Sequence, residues 1–150
     1  MKFRFIWVGK TKDSNYLALQ NEYLQRLSHF VKCETVEIKD SAAHESSEVD
    51  GKRILEKLNP SSFVCLLDVT GRSLTSHGLA SEIEKWRNTG LKEIVFVIGG
   101  ADGVSRAVAE RADIRVSLSF LTFTHEMARV ILLEQLYRAY TIIKGYPYQK

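Results

Sequence analysis

The sequence predicts an α/β fold, a mostly parallel sheet with helices on both faces. Two observations carry that expectation. Hydrophobic periods of about 2 and about 3.6 residues alternate along the chain, each strand-like run being followed by a helical one. Five runs of each kind occur with no internal repeat, low-complexity tract or linker, so the 150 residues read as one domain, 1–150.

Lys2 to Val8 is apolar and reads as the first strand. Asn15 to His29 follows as an amphipathic helix, with Tyr16, Leu19, Tyr23 and Leu27 at helical spacing. Cys33 to Lys39 alternates and reads as a strand. Asp40 to Ser47 is polar and aperiodic, hence a loop. Val49 to Leu58 is a short helix stopped by Asn59-Pro60. Phe63 to Val69 is an apolar strand. Ser76 is placed to cap a helix running to about Asn88, with Leu79, Ile83 and Trp86 on its inner face and Gly90 as its stop. Glu93 to Ile98 is the fourth strand, followed by Gly99-Gly100. Ser105 to Ala112 forms a short helix and Arg115 to Ser119 the last strand. Thr124 then caps a long helix to Lys144, closed by Gly145 with Pro147 beyond. Within that helix Val130, Ile131, Leu132 and Leu133 are consecutive, so apolar side chains point in every direction. A helix on one face of a small sheet keeps one side open. A second copy of the chain is the simplest cover, and a homodimer is expected.

Composition narrows the class. Apolar residues make up 45% and charged residues 26%, which suits a folded globular chain and not a disordered one. No apolar run approaches the ~18 residues of a membrane span. The first ten residues lack the apolar stretch of a signal peptide. Two cysteines, Cys33 and Cys65, sit in strand-like runs and read as reduced core residues, so a cytoplasmic protein is expected. The net charge of +3 permits an anionic partner without demanding one.

Several motifs fall short of their chemistry. Gly99-Gly100-Ala101-Asp102-Gly103 follows a strand and precedes a helix, as a dinucleotide fingerprint does. The glycine order is different, the run follows the fourth strand instead of the first, and no acidic residue ends the next strand. Two readings stay open there: a tight turn needing positive φ, and close approach of backbone to a ligand. His125-Glu126-Met127-Ala128-Arg129 starts like a zinc-protease helix, but Arg129 stands where the second His belongs. No metal is expected. Asp68 lacks the acidic pair of a phosphoreceiver, and neither a G-x-S-x-G elbow nor a P-loop occurs.

What remains lies in the last third. Val116 to Phe123 reads V-S-L-S-F-L-T-F and leads into Thr124-His125. Such a loop can cradle a flat apolar ring and bond its edge through backbone groups. The tail Lys144-Gly145-Tyr146-Pro147-Tyr148-Gln149-Lys150 offers two tyrosines and, at its end, Lys150, suited to stacking on bases and meeting phosphate, or it is a frayed end.

These residues carry a resemblance. I-G-G-A-D-G at Ile98 to Gly103, L-S-F-L-T-F-T-H at Leu118 to His125, R-V-I-L-L-E-Q-L-Y-R-A-Y at Arg129 to Tyr140 and the closing Y-P-Y are similar to the rRNA large subunit methyltransferase H family of SPOUT methyltransferases. The likeness extends to the M-K-x-x-x-x-x-V-G-K start, to K-R-I-L at Lys52 to Leu55 and to L-D-x-x-G-R at Leu67 to Arg72. It implies a C-terminal trefoil knot and a homodimer sharing its site. The implied reaction is methyl transfer from S-adenosylmethionine to N3 of a pseudouridine in 23S rRNA, on the assembled ribosome. The implied cofactor contacts are Leu67, Gly99, Leu118, Ser119, Phe120, Leu121, Thr122 and Phe123. Many members carry His where this chain has Tyr146, whereas Pro147 and Tyr148 follow the pattern. The competing readings are a non-catalytic ribosome-associated protein of the same fold and a small-ligand-binding α/β module.

Under that resemblance His125, at the mouth of the cradle, is the candidate proton acceptor, or a helix-start residue bonding backbone. Arg129, one turn on, can stabilise a developing anion or clamp a phosphate, or form an ion pair. Arg138 lies about half a turn out of phase with Arg129. It reaches the partner's site or pairs with Glu134. Arg138, Tyr148 and Lys150 are the candidate RNA contacts.

Overall fold

The computed structural model describes residues 1–39, 47–100 and 103–148. In chain order they form β1 (Lys2–Val8), α1 (Ser14–Ser28), β2 (Lys32–Ile38), α2 (Ser47–Glu56), β3 (Phe63–Ser73), α3 (Ser76–Asn88), β4 (Glu93–Ile98), α4 (Arg106–Arg111), β5 (Ile114–Ser117) and α5 (His125–Lys144). The sheet order is β2-β1-β4-β3-β5, and every neighbouring pair is parallel. The expected alternation of five strands and five helices holds. Of the expected loop Asp40 to Ser47, residues 40–46 lie outside the described residues, as do Ala101, Asp102 and Lys150, while Ser47 is the first residue of α2.

Burial explains why β1 and β4 read as unbroken apolar runs. They occupy central positions in the sheet, so both of their faces are covered. Phe3, Phe5, Trp7 and Phe96 point to the face that carries α1, α3 and α5, where Phe3 and Phe96 meet edge to face at 5.1 Å. Ile6, Val8, Val95 and Val97 point to the opposite face, against Ile54 of α2 and Val108 of α4. Arg4 is the charged exception in β1. It is only 8% exposed, with Glu34 and Glu93 each 3.5 Å away and the Lys57 carbonyl accepting its Nη1 at 2.9 Å. Paired and hydrogen-bonded in this way, the guanidinium tolerates burial.

Some boundaries differ from the sequence expectation. The cap of α3 is Thr75, whose hydroxyl accepts from the Gly78 amide at 2.9 Å, while Ser76 is the first helical residue. Either hydroxyl can cap, and the chain's entry angle chose the earlier one. Helix α1 starts one residue early because the Asp13 carboxylate accepts from the amides of Asn15 and Tyr16. Strand β5 stops at Ser117, so Ser119 belongs to the loop that follows. Strand β3 runs past Val69 to Ser73, with a register shift between Leu67 and Arg72 against β5. In α5, Leu132 and Leu133 are buried, but Val130 and Ile131 are only half-buried. The apolar residues of that helix are thus not covered on all sides within one chain.

Candidate active site

Topology brings the sequence-predicted residues to one edge. In the parallel register Leu66 lies beside Val97 and Leu67 beside Val116, so β4, β3 and β5 end side by side. Leu67, Gly99 and the run from Leu118 therefore share the carboxyl edge, where open α/β sheets bind ligands. Nothing in the local spacing of these residues placed them together. The strand order did.

The run after β5 is shaped by its own hydroxyls. Ser117 Oγ donates to the Ser119 carbonyl at 3.0 Å, and the Leu121 amide donates to Ser119 Oγ at 3.0 Å. These bonds hold a tight local bend, and Phe120 and Leu121 stand 78% and 75% exposed at its tip. Large apolar side chains so exposed mark a surface that meets something. A cavity of about 230 Å³ lies beside this loop, lined by Leu74, Thr75, Val116, Ser117, Leu118 and Ile131. Its walls are apolar side chains with backbone and hydroxyl groups between them, which suits an aromatic base whose edge needs hydrogen bonds.

Gly99 answers the open question about the glycine run. A Cβ there would fall 2.8 Å from a Val104 methyl and 2.9 Å from the Gly103 carbonyl. The turn folds back on itself, with the Gly103 amide donating to the Gly100 carbonyl at 3.0 Å and Gly103 at φ 80°. The positive-φ turn reading is met at Gly103 and not at Gly99, which is instead a glycine for want of room. The missing Cβ of Gly99 makes room for the chain's own backbone, so what Gly99 presents outward is main chain.

His125 is the first residue of α5 and is half-buried. The Thr124 hydroxyl caps the helix by accepting from the Met127 amide at 3.3 Å. Among the described residues, no hydrogen bond ties down the His125 ring.

Arg129 stands differently from what the sequence suggested. It is wholly buried, and its guanidinium faces inward. Nη2 donates to the Val8 carbonyl at 2.7 Å and Nη1 to Thr11 Oγ1 at 2.9 Å, while the group lies 5.1 Å from the Trp7 ring centre. Thr11 Oγ1 passes the link on to Gln20 of α1 at 2.6 Å. Glu126 grips the same segment, accepting from the amides of Lys12 and Asp13. Two residues one turn apart on α5 thus hold the β1–α1 loop. That loop's role was missed in the sequence, where only the Val8-Gly9-Lys10 start drew notice.

The tail is folded and not frayed as far as Tyr148. Tyr148 stacks on Tyr137 at 4.7 Å, and its hydroxyl donates to Glu134 at 3.1 Å. Burial, then the Tyr23 and Glu134 contacts, raises the Tyr148 phenol above its ordinary range. Arg138 pairs with Glu134 through Nε at 3.0 Å and lies 5.2 Å over the Tyr148 ring. Of the two readings of Arg138, the pairing with Glu134 is the one realised within the chain. Tyr146 is 55% exposed, beside Phe30.

Among the described residues no group of three or more His, Cys, Asp or Glu is placed to hold a metal ion, and no helix is long and apolar enough to cross a membrane.

Residues 1–149 match the family described as Predicted SPOUT methyltransferase, and the chain belongs to that family. Its relatives narrow the kinship further. It is 43% identical over 153 residues to the ribosomal RNA large subunit methyltransferase H of Desulfotalea psychrophila. It is 40% identical to the protein of that name from Halothermothrix orenii and 37% to the one from Enterococcus faecalis, over 159 residues each. In all three comparisons both chains are covered in full.

Proposed function

We propose that this protein transfers a methyl group from S-adenosylmethionine to N3 of a pseudouridine in 23S rRNA, acting on the assembled ribosome in the cytoplasm. The observation that carries the reading is the Leu118–Phe123 loop, set beside Leu67 and Gly99 at one sheet edge in a chain with full-length methyltransferase relatives. The residues fit the cofactor. Phe120, Leu121 and Phe123 offer apolar surface for an adenine, and the backbone from Leu118 to Thr122, with Leu67 and Gly99, offers groups for its edge and ribose. We further propose that the segment after β5 is threaded as a trefoil knot. When bound, the cofactor supplies an already activated sulfonium methyl, so the protein's work is chiefly alignment.

His125 accepts the N3 proton on a ring nitrogen, which leaves N3 its electron pair for the methyl carbon. The untethered ring at the helix start is free to turn toward a base. Arg129 acts as a positioning residue: buried behind the edge, it fixes the β1–α1 loop against the helix that carries His125. A second copy is proposed to cover Val130 and Ile131 of α5. The Tyr137–Tyr148 stack with Arg138 is proposed as an RNA-facing surface of aromatic faces and cations, and Lys150, two residues further along the sequence, as a further RNA contact.

The test is label transfer from methyl-labelled S-adenosylmethionine to ribosomes from a strain lacking this enzyme. Label at a single pseudouridine of 23S rRNA is expected. Ribosomes that stay unlabelled while binding the protein would leave a non-catalytic binder in its place.

A further inference from the structure

A hollow larger than the cavity beside the loop lies elsewhere on the protein. It measures about 720 Å³ and lies between α3 and the edge strand β5. Phe63, Trp86, Leu91 and Ile114 give it an apolar floor, with Phe63 and Trp86 tilted together at 5.4 Å. Its rim is ionic. Arg72, Lys85 and Arg115 face Glu82 and Asp113 across it. Each carboxylate is already engaged: Glu82 pairs with Arg72 at 3.2 Å, and Asp113 accepts from Arg111 at 3.1 Å and from the Val64 amide at 2.7 Å. Lys85 and Arg115 are exposed and have no such partner among the described residues. The charge left over at the rim is positive, above an apolar floor.

The hollow and the cavity beside the loop adjoin along the chain. Ile114 and Arg115 line the first, and Val116, Ser117 and Leu118 line the second, so β5 and the residue after it serve both. Arg115 lies three residues from Leu118, at most about 10 Å along the chain. That is close enough for neighbouring nucleotides of one RNA strand. The bulge in β3 shapes the upper wall, because Gly71 presses against the Arg115 backbone, where a Cβ would meet its carbonyl carbon at 2.7 Å.

We propose that this groove holds an unstacked nucleotide of the substrate RNA flanking the methylated base, its base or ribose on the apolar floor and its phosphates on Lys85 and Arg115. An apolar floor with cations at the rim is how single-stranded nucleotides are held without sequence readout. The assignment rests on the methyltransferase reading above and extends it to where the RNA is held.

The test compares Lys85→Ala/Arg115→Ala with Lys52→Ala/Arg106→Ala, two exposed cations on α2 and α4 removed as a charge-matched control. With undermodified ribosomes, the groove variant is expected to raise KM for ribosomes about tenfold and to lower the slope of log affinity against log salt by about one to two. Its kcat and S-adenosylmethionine affinity should match wild type. Unchanged KM, or an equal rise in the control, overturns the groove. Ribosome binding by sedimentation keeps this separate from the methylation reading: lost binding in the groove variant alone supports the groove even where wild type transfers no label. The same binding is measured with protein-free 23S rRNA. A loss that appears only on ribosomes would assign the groove to a ribosomal protein and overturn the nucleotide.

Discussion

Arg129 of α5 donates to the carbonyl of Val8, the last residue of β1, across 2.7 Å in the protein interior. A side chain from the final helix thereby closes off the end of the first strand, joining the two extremes of the chain at the candidate site.

Arg129→Ala should destabilise the fold by about 2–4 kcal/mol, since it opens a cavity and strips the donors from Val8 and Thr11. For a chain of this size that is a fall in Tm on the order of 10 °C. Arg129→Lys keeps the charge but cannot serve both acceptors with the same fork, and should lie between. A wild-type Tm in Arg129→Ala, with lost turnover, would instead make the residue a direct contact to substrate.

His125→Ala should lower kcat by about 100-fold while leaving Tm and S-adenosylmethionine affinity near wild type. Equal losses in turnover and cofactor affinity would show that the ring only holds the pocket.

Gly99→Ala forces a methyl against the Gly103 carbonyl and Val104. The expected cost is about 1–3 kcal/mol, with a weaker cofactor site as the turn shifts. Gly71→Ala is equally crowded, against the Arg115 backbone, yet lies off the cradle. It should lose stability but keep cofactor affinity. Denaturant titration and calorimetry together separate the two.

Alkaline pH should unfold the protein early. Burial pushes Tyr140 from 10.0 to about 12, Cys65 from 9.0 to about 12 and Cys33 from 9.0 to about 11. Above pH 9 the native state therefore binds more protons than the unfolded chain, and stability falls as pH rises. The contribution is complete below about pH 9, and several kcal/mol should be gone by about pH 11. Denaturant midpoints measured from pH 7 to 11 check the sign. A midpoint that rises above pH 9 contradicts it. Both thiols should also resist alkylation at pH 8 until the protein is denatured.

Much of the fold was legible because its cues are local. Alternating periods marked the ten elements, and Thr124 and Gly145 bounded α5. The Leu118–Phe123 run stood out in the sequence by its composition and resemblance, while its place at the sheet edge beside Leu67 and Gly99 came from the strand order. Thr75 against Ser76 was not, because two adjacent hydroxyls satisfy the same local rule and only the approach of the chain separates them.

The sequence by itself determined which segments are strands and helices, since periodicity and capping act over a few residues. Only the tertiary structure decided the strand order that sets Leu67, Gly99 and Leu118 on one edge, because register between distant strands depends on what each face buries. It also decided that Arg129 points inward while His125, one turn earlier, stays near the surface. A helical position states a direction but not what lies there, and the carbonyl of Val8 arrives from the other end of the chain.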